Sequence, residues 1–384
     1  MEQISQIIVS FIETYGLFAV SLTAATIIVA IADIICFCRY GSLVTFRLVR
    51  RPQIRQEEPP VSVIVPMRSE NNYYIDHALL SLLEQDKLNY EIVVVYVGND
   101  ENFYANLEQL KQIYPHLRTS HISTAYPLTN KMVINVGIKA ASNEHIIITT
   151  PEAAPDSNRW LSLMSKGFLY GDIVIGYSNW KVTAGWKNRV FRKYRFGEAV
   201  TWFNAAIRGG FIKASRHNLG FTKSLYLDVR GFNYLGYSVG EDDIFIRQIA
   251  NPSNISVLIT PNARVSESGA DNIASWRTLV HHNGITRQFY NFKERLQEDI
   301  EPIIRIVFYA FIIAMAALLP MTLKLTAIVI FALRYIIVSW QRNRIAHRFG
   351  EVQLRSWDIL YDFIEPLIRF FIRVTQPKRE SEWR

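Results

Sequence analysis

The feature that most restricts this chain is a set of apolar runs on both sides of a polar-patterned middle. From Tyr15 the sequence reads YGLFAVSLTAATIIVAIADIICFC, with Asp33 its one charge. Residues 303–320 and 321–340 form two more runs, split at Pro320, with Lys324 and Arg334 the charges in the second. Backbone polar groups in hydrocarbon must pair within their own segment, so each run implies a helix, at about 20 residues per crossing. A buried helix pair in a soluble protein is the other reading of 303–340, and the scarcity of polar positions weighs against it. A cleaved signal peptide is the other reading of the first run. Its length and the lack of a basic segment before it weigh against that.

Charge placement gives an orientation. Arg39, Arg47, Arg50, Arg51 and Arg55 follow the first run, and Arg342, Arg344, Arg348, Lys378 and Arg379 follow the hairpin. Basic residues gather on the cytoplasmic side. The expectation is a multi-pass protein of the cytoplasmic membrane, in contact with membrane lipids, with its N-terminus outside and its middle domain cytosolic. The same clusters account for much of the net charge of +8 without a nucleic-acid partner, which needs a basic face with aromatic platforms. The only cysteines, Cys36 and Cys38, lie in the first run and can build neither a disulfide framework nor a Cys-based zinc site. Residues 357–374, WDILYDFIEPLIRFFIRV, mix charges with aromatics and predict an amphipathic helix in the membrane interface. The expected organisation is a first membrane helix (1–40), a linker (41–60), a cytosolic domain (61–300), a membrane hairpin (301–341), and an interface helix with a basic tail (342–384).

The cytosolic region alternates strands and helices. VSVIVPM and EIVVVYVGND predict buried strands, the second ending at Gly98 and Asn99. Helical patterns follow each, at IDHALLSLLEQ and about 103–113, and another covers 131–141 before the strand HIIITT. Such alternation implies an α/β fold with parallel strands and a ligand site at their C-terminal ends. GDIVIGYSNW and NISVLITPNARV predict further strands, and NLGFTKSLYLDVRGF a strand with a short helix. GEDDIFIRQIA opens a helix with acids in its first turn, where the dipole favours them.

In this order, VSVIVPMRSENNYYIDHALLSLLEQD, EIVVVYVGND, PLTNKMVINVGIKAASNEHIIITTPEAAPDSNRWL, NLGFTKSLYLDVRGF and GEDDIF resemble the family-2 glycosyltransferases. The resemblance spans about 61–290 and implies the GT-A fold, a mixed Rossmann-like sheet flanked by helices, here with transmembrane helices at both ends as in membrane-anchored bacterial members. It implies an inverting transfer from a nucleotide-diphospho-sugar, assisted by Mg²⁺ or Mn²⁺. The acceptor expected from the topology is a glycan or lipid-linked precursor beside the membrane. Asp242 takes the place of the general base, with Glu241 beside it. Asp243 and Asn218 take places on the acceptor, and Pro66, Glu70, Tyr96, Lys131 and Arg287 places around the donor. Glu152 takes the place of a metal ligand.

The chain departs from that pattern on the donor side. Thr150-Pro151-Glu152 stands where the family has Asp-x-Asp, and Tyr96-Val97 where it has acids that hold the base and ribose. The downstream Gln/Arg-x-x-Arg-Trp motif has no clean copy; WRTLVHHNGITRQFY fills the region, where His281 and His282 read more as surface histidines than as ligands. Gly209-Gly210 is followed by no Gly-Lys-Ser/Thr, so it is no P-loop. Two other readings stay open. One is a non-catalytic relative that binds a sugar nucleotide or a partner; the other is a processive polysaccharide synthase, which the missing tryptophan motif and the few spans disfavour.

Overall fold

The computed structural model describes residues 10, 12–48, 57–72, 74–123, 128–210, 213–232, 242–268, 273–351, 354 and 358–375. The chain divides into two compact units. One takes in Thr45–Tyr290 and Arg348–Glu351; the other takes in the described parts of Met1–Val44, Asn291–His347 and Val352–Gln376.

Among the described residues, the first unit is built on ten strands: β1 Val61–Met67, β2 Tyr90–Val97, β3 Leu117–Ile122, β4 His145–Ile148, β5 Ala153–Pro155, β6 Ile173–Gly176, β7 Ser178–Trp180, β8 Leu219–Thr222, β9 Ile255–Leu258 and β10 Val265–Glu267. Seven form one sheet in the order β3-β2-β1-β4-β8-β6-β9, and β5-β10-β7 form a second. All pairings in the large sheet are parallel except those of β8, which runs against both β4 and β6. Every residue of β1 is buried. That explains why VSVIVPM reads as an unbroken apolar run, as a strand covered on both faces does.

Helices cover the sheet: α2 Glu101–Ile113, α3 Asn130–Ala140, α4 Trp160–Gly167, α5 Trp186–Ile207, α6 Ile244–Ile249 and α7 Ile273–Arg287, with a further helical stretch from Tyr74 to Leu83. The α2 start is fixed by Asp100, whose carboxylate accepts from Asn102 N at 2.9 Å and Phe103 N at 3.0 Å. GDIVIGYSNW holds two strands rather than one, because β6 belongs to the large sheet and β7 to the small one.

Among the described residues, the second unit holds the long helices α1 Leu17–Cys38, α8 Phe292–Leu318, α9 Met321–Arg348 (all but its last residue) and α10 Asp358–Thr375. Among the described residues, three helices are long and apolar enough to cross a membrane, spanning Leu17–Thr45, Phe292–Leu318 and Met321–Arg348. Small residues let α1 lie close to the others: Ala19 packs with Met315, Leu319 and Leu323, and Ala30 with Phe308 and Tyr309. At the start of α8, Asn291 and Glu294 form a reciprocal capping box.

Candidate functional site

The reversed direction of β8 brings the site together. In antiparallel register Ile148, the last residue of β4, faces Leu219, the first of β8. The residues just after β4 therefore meet those just before β8. Thr149 Oγ1 donates to His217 O at 3.0 Å, and Thr150 Oγ1 lies 2.6 Å from His217 Nδ1. His217 Nε2 lies 3.2 Å from Glu267 Oε2 on β10, and both terminal nitrogens of Arg195 on α5 hold that carboxylate at 2.5 Å.

Burial pushes the His217 pKa down to about 3, further than the Glu267 carboxylate can pull it up, so the ring is neutral. For Glu267, burial alone would raise the pKa, but Arg195 holds it below the usual range. An ionised carboxylate only accepts, so His217 carries its proton on Nε2 and Nδ1 accepts from Thr150. The Thr150 oxygen is left with its lone pairs for another partner.

A second cluster follows the chain segment before α6. Asp243 caps that helix, its Oδ1 accepting from Ile244 N at 2.7 Å. Asp242 accepts from Arg216 N at 3.4 Å, and its other oxygen lies 3.4 Å from Nε2 of His282 on α7. Asp242, Asp243 and His282 each offer one ligand atom within 4.8 Å of the others. Burial would raise the Asp242 pKa, but the His282 cation, with Arg216 and Lys213 behind it, holds that pKa well below the usual range. Asp243 is raised, by burial and then by the charge on Asp242. Burial lowers His282, and Asp242 more than reverses this, so its pKa is raised.

The cluster suits a divalent cation. Two carboxylates and an imidazole this close together make an acceptable donor set for a divalent cation. The sequence alone does not bring His282 to Asp242, because nothing in the spacing links position 282 to position 242.

The other expected residues lie on several different elements. Glu70 lies just beyond β1, and the Tyr96 hydroxyl donates to its Oε1 at 2.6 Å while accepting from Asp100 N at 3.1 Å. The buried Tyr96 ring lies 5.2 Å from His121 at an 11° tilt, and His121 lies 4.5 Å from Tyr104. Tyr96 is thus committed to Glu70 rather than open to a base, and His121 is the exposed member of this stack. Pro66 is buried within β1, Lys131 is buried in the first turn of α3, and Arg287 ends α7. Glu152 is exposed in the turn after β4, outside the Asp242–Asp243–His282 group. Glu241 lies outside the described residues.

Asn218 proves to be a brace. Its Oδ1 accepts from Trp160 Nε1 at 3.0 Å, and its Nδ2 donates to Tyr177 O at 2.9 Å and Ala263 O at 2.8 Å. Both amide hydrogens are used inside the domain, leaving none for an acceptor. A Cβ on Gly176 would lie 2.3–2.5 Å from the Asn218 side chain. Gly176→Ala is therefore expected to cost about 1–3 kcal/mol by overpacking. The thermal midpoint of the detergent-purified protein checks it, and an unchanged midpoint would mean the brace can shift freely.

The fold is similar to that of mannosyltransferase PcManGT from Pyrobaculum calidifontis, a structure in complex with GDP-Man and Mn²⁺. The TM-score is 0.54 at 17% identity, covering 89% of this chain and 98% of that chain. S. aureus TarS 1-349 in complex with UDP-GlcNAc aligns with a TM-score of 0.39 at 13% identity, covering 84% of this chain and 94% of that chain. No protein-family model and no curated protein matches this chain.

Proposed function

We propose that this protein is a GT-A, family-2-type glycosyltransferase that moves a sugar, with inversion, from a nucleotide-diphospho-sugar to a glycan or lipid-linked acceptor at the cytosolic face of a membrane. The observation that carries the reading is the placement of the Asp242 carboxylate, against Arg216 N just ahead of β8 and beside His282. An acceptor hydroxyl oxygen attacks the anomeric carbon, its proton passes to Asp242, and the bond to the diphosphate breaks with its electron pair on the leaving oxygen. Glu70 and Lys131 lie on the donor side of this reading. The Thr150 oxygen, oriented by His217, stands in for the family's first carboxylate as a neutral acceptor. Helices α1, α8 and α9 would cross the bilayer, which suits an acceptor already in the membrane.

Mg²⁺ or Mn²⁺, when bound, would offset the charge of the departing diphosphate. Glu152 is the ligand the family pattern implies. The proximity of Asp242, Asp243 and His282 supports a second reading, in which these three hold the ion.

The experiment is a screen of the purified chain against a panel of nucleotide-sugars with Mn²⁺ or Mg²⁺, headed by GDP-mannose with Mn²⁺. It would read binding, slow hydrolysis and transfer. Absence of binding to every member would sink the proposal. The second reading makes a separate prediction. An imidazole binds a metal only when neutral, so Mn²⁺ affinity should rise with pH through the raised His282 pKa. Calorimetric Mn²⁺ titrations at several pH values check this, and a flat profile excludes His282 as a ligand.

A further inference from the structure

Helix α10 turns its polarity inside out. Asp362, Glu365 and Arg369 are buried, whereas Ile359, Phe363, Leu367, Phe370, Phe371 and Val374 are exposed. A helix lying on a membrane surface keeps its charges toward water. Here they point into the bundle and are paired. Tyr309 donates to Asp362 at 2.7 Å, Arg334 donates to the same carboxylate, and Arg342 lies 3.2 Å from its other oxygen. Glu365 is held by Arg305 at 2.8 Å and by Arg369 at 2.9 Å.

The pairing also gives a direction. Asp362 meets Tyr309, Glu365 meets Arg305, and Arg373 meets Asp299 at 3.0 Å and Glu298 at 3.2 Å. Numbers rise along α10 as they fall along α8, so the two helices run antiparallel. Tyr309 lies within the apolar stretch of α8, and Asp299 within its charged beginning. From Asp362 to Arg373 the helix rises about 16 Å, roughly half the thickness of a bilayer core.

We propose that α10 stands in the bilayer alongside α8, with its N-terminal half at membrane depth and its apolar face against lipid acyl chains, rather than lying flat at the interface. The proposal rests on α1, α8 and α9 crossing a membrane. Charge balance argues for acyl chains over an anionic headgroup as the occupant. The acids Asp33, Glu301, Asp362 and Glu365 are matched by Arg305, Arg334, Arg342 and Arg369, with Asp33 2.6 Å from Arg334. Ions are tolerated at membrane depth when they pair inside a bundle. The exposed face continues the apolar character of α1 and α9, where Ile28 and Ile336 are likewise exposed.

The test uses the full chain in liposomes, in a Cys36→Ser/Cys38→Ser background. Leu360→Cys, Leu367→Cys and Val374→Cys, all at exposed positions, each carry a bimane label, and Ile28→Cys serves as the control in α1. Quenching is read with lipids brominated near the headgroup or deep in the acyl chain. The expected result is a depth gradient. Deep bromines should cause the largest fluorescence loss at 360, and shallow bromines the largest at 374. Equal shallow quenching at all three positions, or none while Ile28 is quenched, overturns the proposal alone. Loss of quenching at Ile28 as well overturns the membrane reading, and this proposal with it.

Discussion

Asp242→Asn is expected to lower sugar transfer by about 10²–10⁴-fold, the usual contribution of a general base, while donor binding stays close to that of the unaltered protein. The amide keeps the shape of the carboxylate but cannot take the acceptor proton. His282 loses the anion that raises its pKa and can shed its proton, so no buried cation is stranded. The comparison with Asp243→Asn separates the two roles considered for this cluster. A base at 242 predicts that Asp242→Asn retains Mn²⁺ affinity and loses only transfer. A ligand at 242 predicts that both substitutions weaken Mn²⁺ binding together. The readouts are initial transfer rates, donor affinity and metal titration on the same preparations. Near-normal transfer by Asp242→Asn would reject the catalytic assignment and favour a binding role.

The sheet was legible because its strands are locally complete signals. VSVIVPM and EIVVV are β-branched runs of strand length, bounded by turn residues, and β1 and β2 lie where those runs lie. The reversal of β8 was not legible, since nothing within NLGFTKSLY distinguishes a parallel from an antiparallel partner. Helix α5 is not legible in the sequence for another reason. Its Arg192, Lys193 and Arg195 are buried, so WKNRVFRKYRF carries no clean polar stripe. Arg195 is matched by Glu267 and Arg192 by Glu351, partners far along the chain. The site divides along the same line. Asp242-Asp243 is one local motif, whereas His282, His217 and Glu267 reach their partners only through the fold.

Glu267→Ala is expected to destabilise the protein by about 3–5 kcal/mol, because Arg195 is left as a buried, unpaired cation. Glu267 is 3% exposed and Arg195 6%, so water can replace little of the lost partner. For a domain of this size the midpoint should fall by about 6–20 °C. Glu267→Gln should fall less, since it keeps an oxygen for Arg195 and for His217 Nε2. The pH dependence has a definite sign. The Glu267 pKa is lowered on folding, so its contribution is complete above the unfolded glutamate value of about 4.3 and is lost as the pH falls through the folded value. The gap between wild type and Glu267→Ala should therefore hold through neutral pH and close in acid. A chemical effect should accompany the structural one. Without a carboxylate at Nε2, His217 is no longer fixed in one tautomer, and the Thr150 hydroxyl loses its oriented acceptor. Nitrogen NMR of the imidazoles would show His217 as a tautomer mixture in Glu267→Ala and as one tautomer in wild type. A single tautomer in both, with an unchanged midpoint, would mean that Arg195 and His217 find other partners and that the chain from Arg195 to Thr150 orients nothing.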